Sequence, residues 1–215
     1  MPKGSTAKGS SSESSRRSSA IQAATLRDLR REQILEVAGE LVASEGLGAL
    51  TIGALEKRLT FSRGVITYHF KNKDEIVRTL FQNAIATIDA HAWGEVEAAQ
   101  TLEERIRRSS RAIVYGFVDN PVASMILMNF WGSLRADAEA SRLNADLYRK
   151  YRAAARRIAA SVDPLPDSVD LDAIAGLFVA MVIGIACQAL FEADSVDIEK
   201  AVDHAARALT ALLVT

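Results

Sequence analysis

The chain has 215 residues, 49% of them apolar, 25% charged and 6% aromatic, with a formal net charge of −1. That is enough apolar material for a substantial core and too balanced a charge for a whole-chain polyelectrolyte. A single cysteine, Cys187, excludes an intramolecular disulfide and fits a reducing compartment, so the protein is expected to be cytoplasmic. The charge is unevenly spread. Residues 1–80 hold 13 Lys and Arg against 9 Asp and Glu, a net of +4, which leaves 13 against 18, or −5, for residues 81–215. The front of the chain is therefore the expected nucleic-acid face.

Residues 1–24 contain eight serines before position 20 together with Lys3, Lys8, Arg16 and Arg17, and no apolar segment of the signal-peptide kind. They are too polar to bury anything and are expected to be disordered, either as a solubilising tail or as a basic arm on DNA. The first predicted helix spans about 26–45. Leu26, Leu29, Ile34, Val37, Ala38, Leu41 and Val42 recur at three- and four-residue steps, and Gly46 and Gly48 end it. Thr51 is the predicted N-cap of a short second helix, whose Ile52, Leu55 and Leu59 face inward. Ser62 is the predicted cap of a third helix. This one carries a β-branched run, Val65-Ile66-Thr67, so tertiary packing of Val65, Ile66 and Phe70 must hold it.

Two short helices separated by a tight break form the helix-turn-helix layout, in which the second helix offers side chains to the major groove. Arg63, Gly64 and Thr67 are the candidate base-reading residues. An arginine can donate two hydrogen bonds to guanine, a threonine can meet a thymine methyl, and a glycine allows close approach. Thr51, Ser62, Tyr68, His69 and Lys73 are candidates for phosphate contact, although His69 could instead cap the following helix.

Helical periodicity continues over about 74–97, 102–119, 122–135, 140–161, 169–192 and 196–213, with no strand pattern. Ile174 to Phe191 is eighteen residues without a charge, which reaches the length of a membrane span. Its flanks are acidic and lack basic anchors until Lys200, so it is expected to be a buried helix at the centre of a helical oligomer, with no membrane partner. Gly176, Ala180 and Gly184 on that helix, with Ala205 and Leu212 on the last one, are the candidate dimer interface. In the body, Tyr115, Met128, Asn129, Trp131, Tyr148, Tyr151 and Phe178 are the candidate ligand-lining residues, each of which could equally be plain core. Cys187 has no basic neighbour in sequence to activate it and reads as a small packing residue. Three histidines, one cysteine and no phosphate loop or metal-spaced cluster point away from an enzyme, a metal or a cofactor.

The stretch from Arg31 to Glu75 resembles the TetR family of transcriptional regulators. The matching elements are Ile34-Leu35, Ala38, Leu41, Glu45-x-Gly, Thr51 and Ser62-x-Gly64-x-Ile66-x-x-His69-Phe70, then Lys73. Residues 125–157 also look like the C-terminal domain of the BetI-type branch. The resemblance implies an all-α protein: a helix-turn-helix head over 25–72 and a ligand-binding and dimerisation body over 73–215. It further implies a homodimer on a palindromic DNA operator, acting as a repressor released by a small-molecule effector. The alternative is a helical protein-interaction module that does not bind DNA. The chain departs from the family pattern at the turn, where Leu59-Thr60 replaces the usual Ala-Gly. It departs also at Glu56, where alanine is usual, and at Thr67, where an aromatic is common. A threonine in the turn disfavours a positive φ, so that turn is expected to differ.

Overall fold

In a computed structural model the backbone is described for residues 10–90, 99–132, 138–160, 166–192 and 196–214, and side chains from Thr25 onward. Among these residues there are nine α-helices and no strand. The head comprises α1 (Ser10–Glu45), α2 (Ile52–Arg58) and α3 (Arg63–His69). The body comprises α4 (Lys73–Asp89), α5 (Leu102–Val118), α6 (Pro121–Gly132), α7 (Ala138–Ala159), α8 (Leu171–Phe191) and α9 (Ile198–Val214).

α1 begins sixteen residues earlier than the periodicity predicts, so residues 10–24 continue a helix instead of lying outside secondary structure. Once a helix is nucleated, each added residue gains a backbone hydrogen bond, and the alanines before Leu26 are strong helix formers. The predicted stripe is also corrected at one end. Ile34, Ala38, Leu41 and Val42 are buried, but Leu26 and Leu29 are half exposed, because the helix projects past the body that covers its C-terminal part. Gly46 stops α1 at φ +87°, a conformation only glycine adopts freely, and its N–H donates to the Val42 carbonyl at 3.0 Å. Gly48 lies within the 3-10 turn Leu47–Ala49 that follows.

The helix starts are set by local chemistry. Thr51 Oγ1 accepts from the Ala54 N–H at 3.0 Å, as predicted. Asn72 accepts from the Glu75 N–H at 3.0 Å while Glu75 accepts from the Lys71 N–H at 2.8 Å, a reciprocal box that opens α4. Thr101 and Glu104 build the same device at α5. α4 ends at Asp89, short of the predicted 97, with residues 91–98 outside the described set. Asn120-Pro121 is the predicted break, and there α5 and α6 meet at 94°.

α5 packs on α8 and α9, α7 packs on α8, and α4 packs on α6 and α7, while α1 lies against α6 and α4. Gly116 on α5 allows a close approach to α4: a Cβ there would stand 2.6 Å from the Ile88 carbonyl oxygen. α8 is long and apolar enough to cross a membrane, yet it is packed on one side by α5, α7 and α9 and keeps an exposed face, so it is less buried within one protomer than predicted.

Candidate nucleic-acid interface and internal cavity

α3 is two turns long, about 10 Å at 1.5 Å per residue, which suits a major groove about 12 Å wide. Ile66 and the C-cap residue Phe70 are fully buried, and they fix which side turns outward. The outward side carries Arg63, Gly64, Thr67 and Tyr68, all exposed, with Tyr68 at 71%. Thr51 and Ser62 are exposed at the starts of α2 and α3, His69 and Lys73 are half-buried, and Lys73 is the first residue of α4. The eight residues predicted for DNA are thus exposed or half-buried, on the surface of α3 and at the starts of α2 and α4.

Two details differ from expectation. Ser62 occupies the N-cap position of α3 but its hydroxyl makes no cap hydrogen bond. The Thr67 hydroxyl donates to the Arg63 carbonyl at 2.9 Å, so Thr67 presents a methyl group and an acceptor lone pair outward. The α2–α3 turn is made without any positive φ: Leu59 is extended at φ −92° and ψ 146°, which accommodates the Leu59-Thr60 pair.

Three arginines of α1 join this surface. The Arg27 guanidinium lies 5.8 Å from the Tyr68 ring, Arg30 is 5.9 Å from Phe61 and Arg31 is 4.5 Å from Phe70. The Tyr68 ring also meets the His69 ring edge-on at 5.1 Å. Burial, and then the nearby charges of Arg27, Arg30 and Arg31, hold the His69 pKa below its ordinary value. His69 does not cap α4, a role that Asn72 fills. The trio was not singled out in the sequence, although its i, i+3, i+4 spacing is the available signal.

In the body, a cavity of about 360 Å³ lies among α4, α5, α7 and α8. Of the seven predicted ligand-lining residues only Tyr151 and Phe178 border it. The others are placed elsewhere by their own partners. Tyr115 donates to Glu199 Oε1 at 2.8 Å, beside the Arg111–Glu199 ion pair, and ties α5 to α9. Met128 and Asn129 face a shallow groove shared with Gly46 and Phe191. Trp131 lies between Phe117 and Tyr148, both tilted against it at 6.3 Å between ring centres, with its Nε1 buried and without a hydrogen-bond partner among the described residues. Burial raises the pKa of both Tyr148 and Cys187, which keeps the Cys187 thiol protonated and fits a packing role.

The cavity also brings in residues the sequence did not flag: Asp89, Arg105, Ser109 and Arg157. Asp89 is engaged by Lys150 Nζ at 2.8 Å and by the Tyr151 hydroxyl at 3.2 Å. Burial, reinforced by the Asp89 carboxylate, pushes the Tyr151 phenol well above its ordinary range. The available signal was Ala154-Ala155 on α7, two small residues in the same lining as Phe178 and Val182.

Among the predicted interface residues, Ala180 is exposed, Leu212 is 48% exposed, and Gly176 and Gly184 would each carry a Cβ into open space. Ala205 is the exception. At 1% exposure it packs inside its own protomer and is not an interface residue, since α9 turns that face toward α5 and α8. No group of three or more His, Cys, Asp and Glu side chains that could hold a metal occurs among the described residues.

Comparison with known proteins agrees with this geometry. Residues 34–80 match the bacterial regulatory proteins of the tetR family, and residues 76–214 match the C-terminal domain of BetI-type transcriptional repressors. The chain belongs to the TetR family of transcriptional regulators, with a BetI-type C-terminal domain. It is 26% identical over 107 residues to the HTH-type transcriptional regulator BetI 1 of Chromohalobacter salexigens, covering 49% of this chain and 51% of that one. The match thus spans about half of the length of that relative. The fold is similar to a Rhodococcus transcriptional regulator at TM-score 0.67 and 18% identity, covering 86% and 98% of the two chains. It is likewise similar to a Saccharomonospora viridis regulator, solved in complex with choline, at TM-score 0.63 and 20% identity over 87% and 99%.

Proposed function

We propose that this TetR-family regulator is a cytoplasmic homodimeric repressor that binds a palindromic duplex through its two heads and is released by a small molecule bound in the body. The observation that carries the reading is the outward face of α3, where Arg63, Gly64, Thr67 and Tyr68 stand together over a fully buried Ile66. Arg63 reads a guanine, Thr67 meets a thymine methyl, and Gly64 admits the sugar-phosphate edge. Thr51, Ser62, Tyr68, His69 and Lys73 hold the phosphates that fix register, joined by Arg27 and Arg30.

The cavity among α4, α5, α7 and α8 is the effector site, and its volume lies within the range of small-molecule pockets. α4 supplies the coupling. It is seventeen residues long, beginning at Lys73 beside α3 and ending at Asp89 on the cavity wall. A rigid helix of that length carries a displacement at one end to the other, provided that the effector binds more tightly to the DNA-free geometry. We place the boundary between head (25–72) and body (73–215) at the start of this helix. The dimer forms through the uncharged outer face of α8, with Leu177, Ala180 and Phe191, and through Leu212 of α9.

Selection of bound duplexes from a random pool tests the proposal. The expected product is a palindrome whose half-sites are about one helical turn apart or a multiple of it, bound with a steep inverse dependence on salt. Recovery of no preferred duplex would leave a protein-interaction module as the better reading.

A further inference from the structure

We infer that the effector is an amphipathic anion, a carboxylate carried on a medium-length apolar chain, held by Arg105 and Arg157. This rests on the reading of the cavity as the effector site and adds its chemical class.

The walls are mostly aliphatic, with Ile113, Val182 and Ile183 around Phe178, so the body of the ligand is apolar. The charged lining decides the head group. Asp89 is the one carboxylate among the described lining residues, and both of its oxygens are occupied. Lys150 Nζ pairs with Oδ2 at 2.8 Å, and the Tyr151 hydroxyl donates to Oδ1 at 3.2 Å. A ligand cation would find that charge already neutralised.

Arg105 and Arg157 also line the cavity, and neither is paired with a carboxylate among the described residues. Among the described residues Arg105 reaches only the Ala99 carbonyl, at a long 3.5 Å through Nε. Arg107, Arg108 and Arg111 on α5, and Arg156 on α7, are all in ion pairs, and Arg152 of α7 is exposed and outside the lining, so Arg105 and Arg157 are the arginines that face the cavity. Ser109, one turn beyond Arg105 and 7% exposed, adds a hydroxyl to the same wall. A guanidinium fork is suited to a carboxylate, with two parallel N–H···O bonds. A quaternary ammonium would instead need several aromatic faces, and Tyr151 and Phe178 are the aromatic residues of the described lining.

The test is calorimetric titration of the full chain with three probes of one tail and different heads: decanoate, decanol and decyltrimethylammonium. Decanoate is expected to bind at least about ten-fold more tightly than the ammonium. In the double variant Arg105→Gln, Arg157→Gln, decanoate should weaken by about ten- to one-hundred-fold, the size of a lost charge-assisted contact, while decanol changes little. Retained decanol binding shows that the variant is folded and its cavity open. Equal or tighter binding of the ammonium, or equal loss of decanoate and decanol in the double variant, would overturn the anion. In either case, decanol binding that is abolished by Ile183→Trp would keep the cavity as the effector site. Failure of all three probes to bind the parent chain would overturn both readings together.

Discussion

The guanidinium carbon of Arg31 stands 4.5 Å from the centre of the Phe70 ring, joining α1 to the residue that ends α3. Phe70 is fully buried, so the contact helps to fix the orientation of α3 against the long first helix. A cation over an aromatic face contributes about 0.5–1 kcal/mol at a partly exposed site. Arg31→Ala should lower the unfolding free energy by about that amount and weaken duplex binding without changing the preferred sequence. Thermal unfolding and duplex titration check this, and an altered base preference would make Arg31 a reader.

Arg63 and Lys73 are expected to fail differently. Arg63→Ala removes the proposed base-reading fork and should cost about 1–3 kcal/mol at one position of the selected duplex, relaxing preference there. Lys73→Ala should weaken all duplexes similarly and flatten the salt dependence by about one unit. Titrations over a salt series separate the two effects. Parent-like binding by both variants would remove α3 as the reader.

His69 makes the head sensitive to acid. Burial and the charges of Arg27, Arg30 and Arg31 lower its pKa in the folded protein below the unfolded value near 6.5. The unfolded chain therefore takes up the proton first. The stability associated with neutral His69 is present above the unfolded pKa and is lost as the pH falls through it toward the folded pKa. His69→Gln should flatten the thermal midpoint between about pH 7 and pH 5 relative to the parent. Parallel profiles for the two proteins would show that His69 does not titrate with folding.

The head was more legible in the sequence than the cavity, for a physical reason. Caps and turns are local: Thr51, Gly46 and the Asn120-Pro121 break act on their own neighbours, so reading a few residues suffices. A cavity is made by residues far apart in sequence, here Asp89, Arg105, Tyr151 and Phe178, and the packing of four helices decides which aromatics face it. Trp131 looked like a pocket wall because its N–H needs a partner, yet its ring is held between Phe117 and Tyr148. Leu26 and Leu29 misled in the opposite sense, continuing an apolar stripe past the point where the body stops covering it. Ala205 and Leu212, a heptad apart and so within about 20° of each other around α9, share a face in the sequence pattern, yet one is 1% and the other 48% exposed.

Gly116→Ala probes the packing that shapes the cavity. The added Cβ would stand 2.6 Å from the Ile88 carbonyl oxygen, a backbone atom that cannot rotate away, so α4 and α5 must separate. Overpacking of this kind costs about 1–3 kcal/mol. Ile88 precedes the cavity residue Asp89, so the same shift should also weaken effector binding. A variant with the parent's thermal midpoint would mean that the two helices part without cost.

Gly184→Leu tests the proposed dimer face without touching the protomer core. A Cβ at Gly184 meets nothing within 4 Å in the isolated chain, so the protomer has room for a larger side chain there. Around it α8 is uncharged from Ile174 to Phe191, and Leu177 and Phe191 are 41% and 70% exposed. Such a run of apolar surface is unusual for a monomer and is what a second copy would cover. A close helix–helix contact at Gly184 would be forced apart by leucine, at a cost of about 1–3 kcal/mol, or roughly five- to 150-fold in the dimer equilibrium. Sedimentation should show a shift toward monomer, and duplex binding should weaken because two heads on one palindrome require two linked chains. Circular dichroism of the variant should keep the helical signal of the parent. A variant that stays dimeric at low concentration and binds duplex normally would place the interface away from this stretch of α8.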